Sequence, residues 1–386
     1  MRVIHRIALA AAASVAGSAI VAVGVAIAPV AQAGTQGSFV GGFTTTTAVA
    51  STVPGNGDVN PYGVAVVKDN IGKLRQGNVL VSNFNNSGNQ QGTGTTIVEV
   101  SPSGQVTTFA QIDPTKLPGA CPGGVGLTTA LNILNNGWVV VGSLPTNMGD
   151  PFSSQAGCLL VLNSSGRVVE TFSGHGINGP WDMTALNVGG LSELFVTNVL
   201  NGTVAATTDI NNPVVVNKGS VLRLLVTAPA YGMPKLLATT KIGFGFPERL
   251  DASALVIGPT GVGLGKDGTL YVADTLGSRI AAIPNAVLRF TSAGTGRTVS
   301  QGGSLNGPLG LAIAPNGNIL TTNGGDGNLV ETTPFGKQVA TVPIANTVNP
   351  PGGTLPAGSL FGLAVAPYGT GVYLVDDANN QLVLQH

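Results

Sequence analysis

From residue 40 onward, apolar residues alternate with polar ones over runs of four to eight, broken by Gly, Pro, Asn and Asp, and no helical period appears after residue 33. A short apolar strand with small residues at alternate positions opens each of six segments: 63–66, 124–127, 182–185, 261–264, 310–313 and 362–365. Proline precedes five of these strands, as Pro61, Pro122, Pro180, Pro259 and Pro308; the sixth has Leu360 and Phe361 there. Each first strand leads through a turn into a second alternating strand (79–83, 138–143, 194–198, 270–274, 319–323 and 372–376). Third strands are predicted at 96–101, 158–163, 220–226, 286–290, 328–332 and 381–384, and fourth strands in the first five segments, among them 106–110, 168–172 and 339–342.

The sixth segment ends at His386 without a fourth strand, and the strand-like stretch 43–50 is left over near the other end. Pairing the two completes six four-stranded units in a ring, an all-β, six-bladed β-propeller whose last blade is closed by the N-terminal strand. Small residues in the innermost strands fit sheets converging on an axis. The expected layout is a leader over residues 1–33 and one propeller domain over 34–386, with blades near 60–112, 121–173, 179–242, 258–302, 306–345 and 359–386 plus 43–50. That leaves about 59 residues per blade, above the roughly 40–45 of a compact blade, so the excess lies in loops.

Arg2 and Arg6 precede an apolar run from Ile7 to Ile27, and Ala31-Gln32-Ala33 follows. This reads as a cleavable signal peptide, cut after Ala33, and directs the chain to a secreted, periplasmic or extracellular location. A run of about 20 apolar residues also suits a retained anchor. No second such run occurs, so no membrane span is expected after processing.

The two cysteines, Cys121 and Cys158, are expected to pair in an oxidising compartment, across the start of blade two. Only 9% of residues are charged, 17 basic against 17 acidic. Removing the leader leaves 15 against 17, which implies no nucleic-acid partner.

The segment Pro259–Ile280, with its Lys266-Asp267-Gly268 turn and Val272-Ala273-Asp274, resembles the NHL repeat, as does Phe361–Val383; Pro308–Val330 is a weaker match. The resemblance implies the six-bladed fold and leaves the activity open, because such propellers host binding scaffolds, lyases and hydrolases.

Strand direction places first-strand starts and second-strand ends on one face of the disc, called the top. Long loops at 84–95, 144–157 and 199–219 and an insertion at 241–258 build up that face over blades one to four. Ligand-binding candidates there are Asn60, Tyr62, Trp181, Asp182 and His175, with Phe246, Glu248 and Arg249 in the insertion. Asp182 stands where the other blades carry Gly. Oxygen ligands Asn60, Asp182, Asn198 and Asp274 are the candidates for Ca²⁺, the one cofactor considered; the alternative for these Asn and Asp residues is turn capping.

Outside the leader the histidines are His175 and His386, too few for a multi-histidine zinc site. No Gly-x-Ser-x-Gly nucleophile elbow appears, which leaves His175 the one available catalytic base for a triad. The expected function is therefore a non-catalytic module binding a small molecule, glycan or protein through the top face and channel mouth. The alternative is a Ca²⁺-assisted hydrolase similar to the gluconolactonase and regucalcin propellers, although Asn60-Pro61-Tyr62 stands where that resemblance would call for a glutamate ligand. A structural envelope or matrix protein is the third reading.

Overall fold

The structure is a computed structural model, and it describes residues 37–348 and 351–386. The signal-peptide reading and its cleavage point fall outside the described residues. The chain forms six antiparallel sheets around one axis, five of four strands and one of five. The outer strand of the sixth sheet is Thr46–Ser51, paired antiparallel with the last strand, Gln381–Gln385, so the chain's two ends close the ring. The sequence places this closing strand correctly because neither partner could otherwise satisfy its ladder of N–H and C=O groups.

Two predicted strands are corrected. The inner strand of blade two is Leu127–Ile133 rather than 124–127, because Gly124 has a φ of 99° and turns the chain before the strand begins. The third strand of blade four is Arg279–Ile283 rather than 286–290; Ala286–Leu288 forms a 3₁₀ turn beyond it. The insertion expected at 241–258 is mostly strand. Blade three's outer strand runs from Leu236 to Asp251, and its upper end folds back as a hairpin onto Leu255–Ile257, the fifth strand of that sheet.

Every inner strand carries an irregularity against its neighbour just below its start. Pro180 faces Asn198 and Met183 faces Val196, for example, so Trp181 and Asp182 stand opposite Thr197 alone. Such a bulge re-aims the two residues it contains. In four blades a bulge residue lies on the axis at the top: Tyr62, Trp181, Leu309 and Phe361 meet there in one buried cluster. The second residue is Gly63, Gly261, Gly310 or Gly362, and a Cβ added at Gly310 or Gly362 would lie 2.1 or 2.3 Å from the next blade's backbone oxygen. Blade two has Ala130 there, and Asp182 is the one charged residue in the series.

The N-terminal segment is moored by a residue the sequence does not advertise. The carboxylate of Glu331, fully buried, accepts hydrogen bonds from Ser38 Oγ (2.6 Å), the N–H of Phe39 (2.7 Å) and Val40 (2.8 Å), Asn316 Nδ2 (3.0 Å) and Asn318 Nδ2 (2.6 Å). Burial pushes its pKa up, but the donors from Ser38, Asn316, Asn318 and Phe39 outweigh it and hold the group below the ordinary glutamate value. The Glu331→Ala variant should therefore lose about 3 kcal/mol of unfolding free energy at pH 7, since several buried donors are orphaned together. A depressed carboxylate contributes stability above the unfolded pKa and loses it as pH falls, so the gap between wild type and variant should close below about pH 4. Chemical denaturation across pH 3–7 measures both.

Cys121 and Cys158 form a disulfide with Cα atoms 5.2 Å apart, closing a 37-residue separation. It ties the connection between blades one and two to the third strand of blade two, as expected from the sequence, and suits an oxidising compartment. Paired Cys→Ser substitution should lower stability by about 3 kcal/mol, read from urea unfolding with and without reductant. No helix among the described residues is long and apolar enough to cross a membrane.

Candidate functional site

The channel is closed at the top. The Tyr62 ring stacks on Phe361 at 4.0 Å and on Phe84 at 4.6 Å, with Trp181 at 6.1 Å. Over this plug lies the hairpin of blade three: Trp181 Nε1 donates to the Val256 carbonyl (3.0 Å), and Leu250, Leu255 and Val256 are buried against the aromatic rings. On the far side of the ring, Gln91 Nε2 donates to the carbonyls of Ala252 and Ser253 and pins the hairpin's turn. A stack this size excludes water from the upper axis, and burial, with the nearby Asp377 charge, raises the Tyr62 phenol pKa well above its ordinary value.

Below the plug the six inner strands enclose a cavity of about 350 Å³ lined by residues from every blade. Its wall continues to the lower ends of these strands, where Val66, Ile133, Leu264, Ile313 and Val365 are part-exposed. The channel therefore opens at the bottom. Its polar lining consists of Asp182 with Thr129, Thr184, Asn132, Asn187 and, at the rim, Lys68. Asp182 is the acid of this wall, with 8% of its surface exposed.

The Asp182 carboxyl spans two blades. Oδ1 accepts from the Met183 N–H (2.7 Å) and Oδ2 from the Val262 N–H of blade four (3.1 Å). Burial pushes its pKa up to about 8, against the opposing pull of those two N–H groups. Each oxygen keeps a further lone pair, so the group can still exchange a proton with a molecule in the channel. Thr129, on the adjacent inner strand, contributes a buried hydroxyl with no hydrogen-bond partner.

Of the predicted site residues, only Asp182 reaches this cavity. Trp181 and Tyr62 belong to the plug. Asn60 sits at the top with φ 62°, its N–H donating to Asn380 Oδ1 (2.7 Å) and its own Oδ1 buried without a partner. His175 lies exposed in a turn at φ 52°. Phe246 is fully buried in the core between blades three and four. Glu248, also buried, accepts from the Asn201 N–H (2.9 Å), and burial pushes it up to about 7. Arg249 pairs with Asp251 at 3.1 Å at the base of the hairpin. The predicted grouping of these residues into one top-face site is corrected: they are distributed between plug, core and loop.

Three of the four oxygen donors proposed for Ca²⁺ are already engaged. Asn198 uses Oδ1 to accept from the N–H of Asn178 and Gly179 and Nδ2 to donate to Gly176, which is turn capping. Asp274 is held by Arg279 at 2.7 Å. Both Asp182 oxygens face backbone N–H groups, and Ca²⁺ takes 6–8 oxygens. Among the described residues no three His, Cys, Asp or Glu side chains come together as a metal cluster.

The remaining cavity residues escape the sequence reading. Thr129, Asn132 and Asn187 carry no motif, and the displaced inner strand of blade two hides the first two. Their one sequence signal is polarity at alternate positions of strands that otherwise face the axis with Gly, Ala and Val.

No protein-family model matches the chain, so the resemblance to the NHL repeat rests on the quoted segments alone. No curated relative matches in sequence. Solved structures do match in fold. A gluconolactonase from Xanthomonas campestris has a TM-score of 0.50 at 13% identity, covering 88% of each chain. Regucalcin, a calcium-binding protein from Agrobacterium tumefaciens, has 0.50 at 13% over 87% of this chain and 92% of its own. The PQQ-bound aldose sugar dehydrogenase of Streptomyces coelicolor has 0.50 at 15% over 88% and 97%. At these identities the likeness shows the six-bladed propeller fold. Two of these neighbours are named as enzymes, and the top-face mouth is plugged. The aromatic plug that fills the top-face mouth overturns the expectation of a non-catalytic module binding through the top face and channel mouth.

Proposed function

We propose that the protein is a hydrolase of the lactonase type that works in the bottom-opening channel with Asp182 as its proton-transfer group. The observation that carries this reading is Asp182 itself. It is a carboxyl group where the other bulges have glycine or a small residue, buried at the wall of a polar-lined cavity and held protonated up to about pH 8. A buried acid with a matched pKa is what protonation of a leaving oxygen requires. The likeness in fold to a gluconolactonase supports the substrate class.

In this reading water adds to the acyl carbon of a cyclic ester and the ring C–O bond breaks. Asp182 gives its proton to the departing ring oxygen and recovers one from the attacking water, so a hydroxy acid leaves and the carboxyl group is restored. Asn132, Asn187 and the free Thr129 hydroxyl supply hydrogen bonds to a small polar ring. The cavity holds a single such molecule. Export through the N-terminal leader to an oxidising compartment, where the disulfide is stable, belongs to the same proposal.

The test is acid release in a pH-stat from glucono-δ-lactone and from γ- and δ-lactones of simple hydroxy acids, each corrected for spontaneous opening. Turnover of at least one lactone is expected. Rates equal to the spontaneous ones across the panel would overturn the hydrolase reading.

A further inference from the structure

The two faces of the propeller differ in charge and in what they expose. Top-face loops carry Asp58, Asp113, Asp150, Asp209, Asp326 and Asp377 against Lys116, with Lys218, Arg249 and Arg279 at the top ends of strands. On the bottom face, the turns joining first to second and third to fourth strands carry Lys68, Lys73, Arg75, Arg167, Lys266 and Lys337 against Asp69 and Asp267. Among the described residues none of these bottom-face cations forms an ion pair; the ion pairs are those of Lys116, Arg249 and Arg279, all at the top. In a chain with so few charges this segregation makes an electrical dipole across the disc.

The same bottom turns hold the exposed aromatic residues. Tyr231 (94% exposed), Phe290 (80%), Phe335 (92%) and Tyr368 (98%) are, among the described residues, the aromatic side chains more than half exposed, and they project from blades three, four, five and six. Met233 and Leu288 stand beside two of them, also more than half exposed. Basic side chains flank the aromatics: Lys235 follows Tyr231, Arg289 precedes Phe290 and Lys337 follows Phe335. The described chain also begins on this side, where Gly37 O accepts from Asn316 Nδ2 (3.1 Å) in a bottom turn of blade five.

We propose that the bottom face docks on an anionic lipid bilayer, with the aromatic tips at headgroup depth and the lysine and arginine side chains on the lipid phosphates. A protein partner would need a continuous apolar patch, whereas these side chains stand singly on separate turns, spread around a ring. Isolated aromatic tips amid cations suit a fluid interface that rearranges around each one. Docking this way directs the mouth of the channel toward the lipid headgroups. The proposal does not depend on the hydrolase reading, and its test uses no substrate.

All strands of the ring lie within residues 46–385, so the propeller from residue 34 onward, without the apolar run, is the protein to use. It should co-sediment with phosphatidylcholine vesicles containing phosphatidylglycerol and not with phosphatidylcholine alone, and 0.5 M NaCl should weaken the binding severalfold. Lys266→Glu with Lys337→Glu should lower the partition coefficient about tenfold or more. Replacing Tyr231, Phe290, Phe335 and Tyr368 together by Ser, which changes no charge and removes little buried surface, should lower it by a similar factor. Absence of binding to the anionic vesicles would overturn the proposal. So would full retention of binding by the four-fold Ser variant, because the face would then be a site for any polyanion, or equal binding to neutral vesicles. Unchanged melting temperatures in both variants separate lost docking from lost folding.

Discussion

The Asp182→Asn variant is expected to lose lactone turnover by about 10²–10⁴-fold, the usual contribution of a positioned acid or base. The wild-type rate should fall as pH rises through about 8, where the carboxyl gives up the proton it must donate, and the variant should lack this limb. A second, substrate-free readout follows from the same group. Its folded pKa lies above its unfolded one, near 4, so between those values the native state holds a proton that the unfolded chain releases. Stability is then full below about pH 4 and declines as pH rises, by about 1.4 kcal/mol per pH unit from this residue. Glu248 and Asp377, both pushed up to about 7 by burial, contribute with the same sign, so the difference between wild type and variant isolates Asp182. The amide also costs something: an Asn side chain has one acceptor oxygen for the two N–H groups of Met183 and Val262, and an orphaned donor costs about 1–3 kcal/mol. The variant should be the less stable protein at pH 4, draw level near about pH 5–6 and be the more stable one by about pH 8. A pH-independent difference, with turnover intact, would show that Asp182 only bridges two blades.

The ring was legible in the sequence because its cause is local and repeated. Alternation marks strands, turn residues mark their ends, and the missing outer strand of blade six together with the spare stretch at 43–50 leaves closure as the way to satisfy both edges. The site was legible at one residue for the same reason. Five blades put glycine or a small residue where the bulge crowds the neighbouring blade, so an aspartate there is visible as a break in the repeat. What could not be read was direction. Trp181 and Asp182 are adjacent, and the sequence reading aims both at the top mouth. The bulge sends the tryptophan into the plug and the aspartate into the channel below it, and a bulge has no residue signature of its own. Glu331 was equally silent, because a carboxylate in an alternating strand looks like a solvent-facing position until the N-terminal segment folds over it.

Removing the tryptophan from the plug should cost more than any other single substitution on the axis. Trp181→Ala deletes a side chain that is 2% exposed and leaves its volume as a cavity between Tyr62, Phe361 and the hairpin, for an expected loss of about 3–5 kcal/mol. Part of that loss is the hydrogen bond to the Val256 carbonyl, which holds the hairpin down. Trp181→Phe keeps a ring in the stack and drops the bond, so it should cost only about 1–2 kcal/mol and loosen the hairpin selectively. Equilibrium denaturation gives the totals, and hydrogen exchange at residues 250–257 gives the local part. Exchange in both variants should rise there before it rises in the inner strands. The comparison also decides what the plug is for. If it is a floor for the channel, opening it to solvent should slow turnover in Trp181→Ala by lowering the Asp182 pKa, and the alkaline limb of the rate profile should move down with it. A stable Trp181→Ala protein with an unmoved limb would mean that the aromatic stack holds the blades together and does nothing for the acid beneath it.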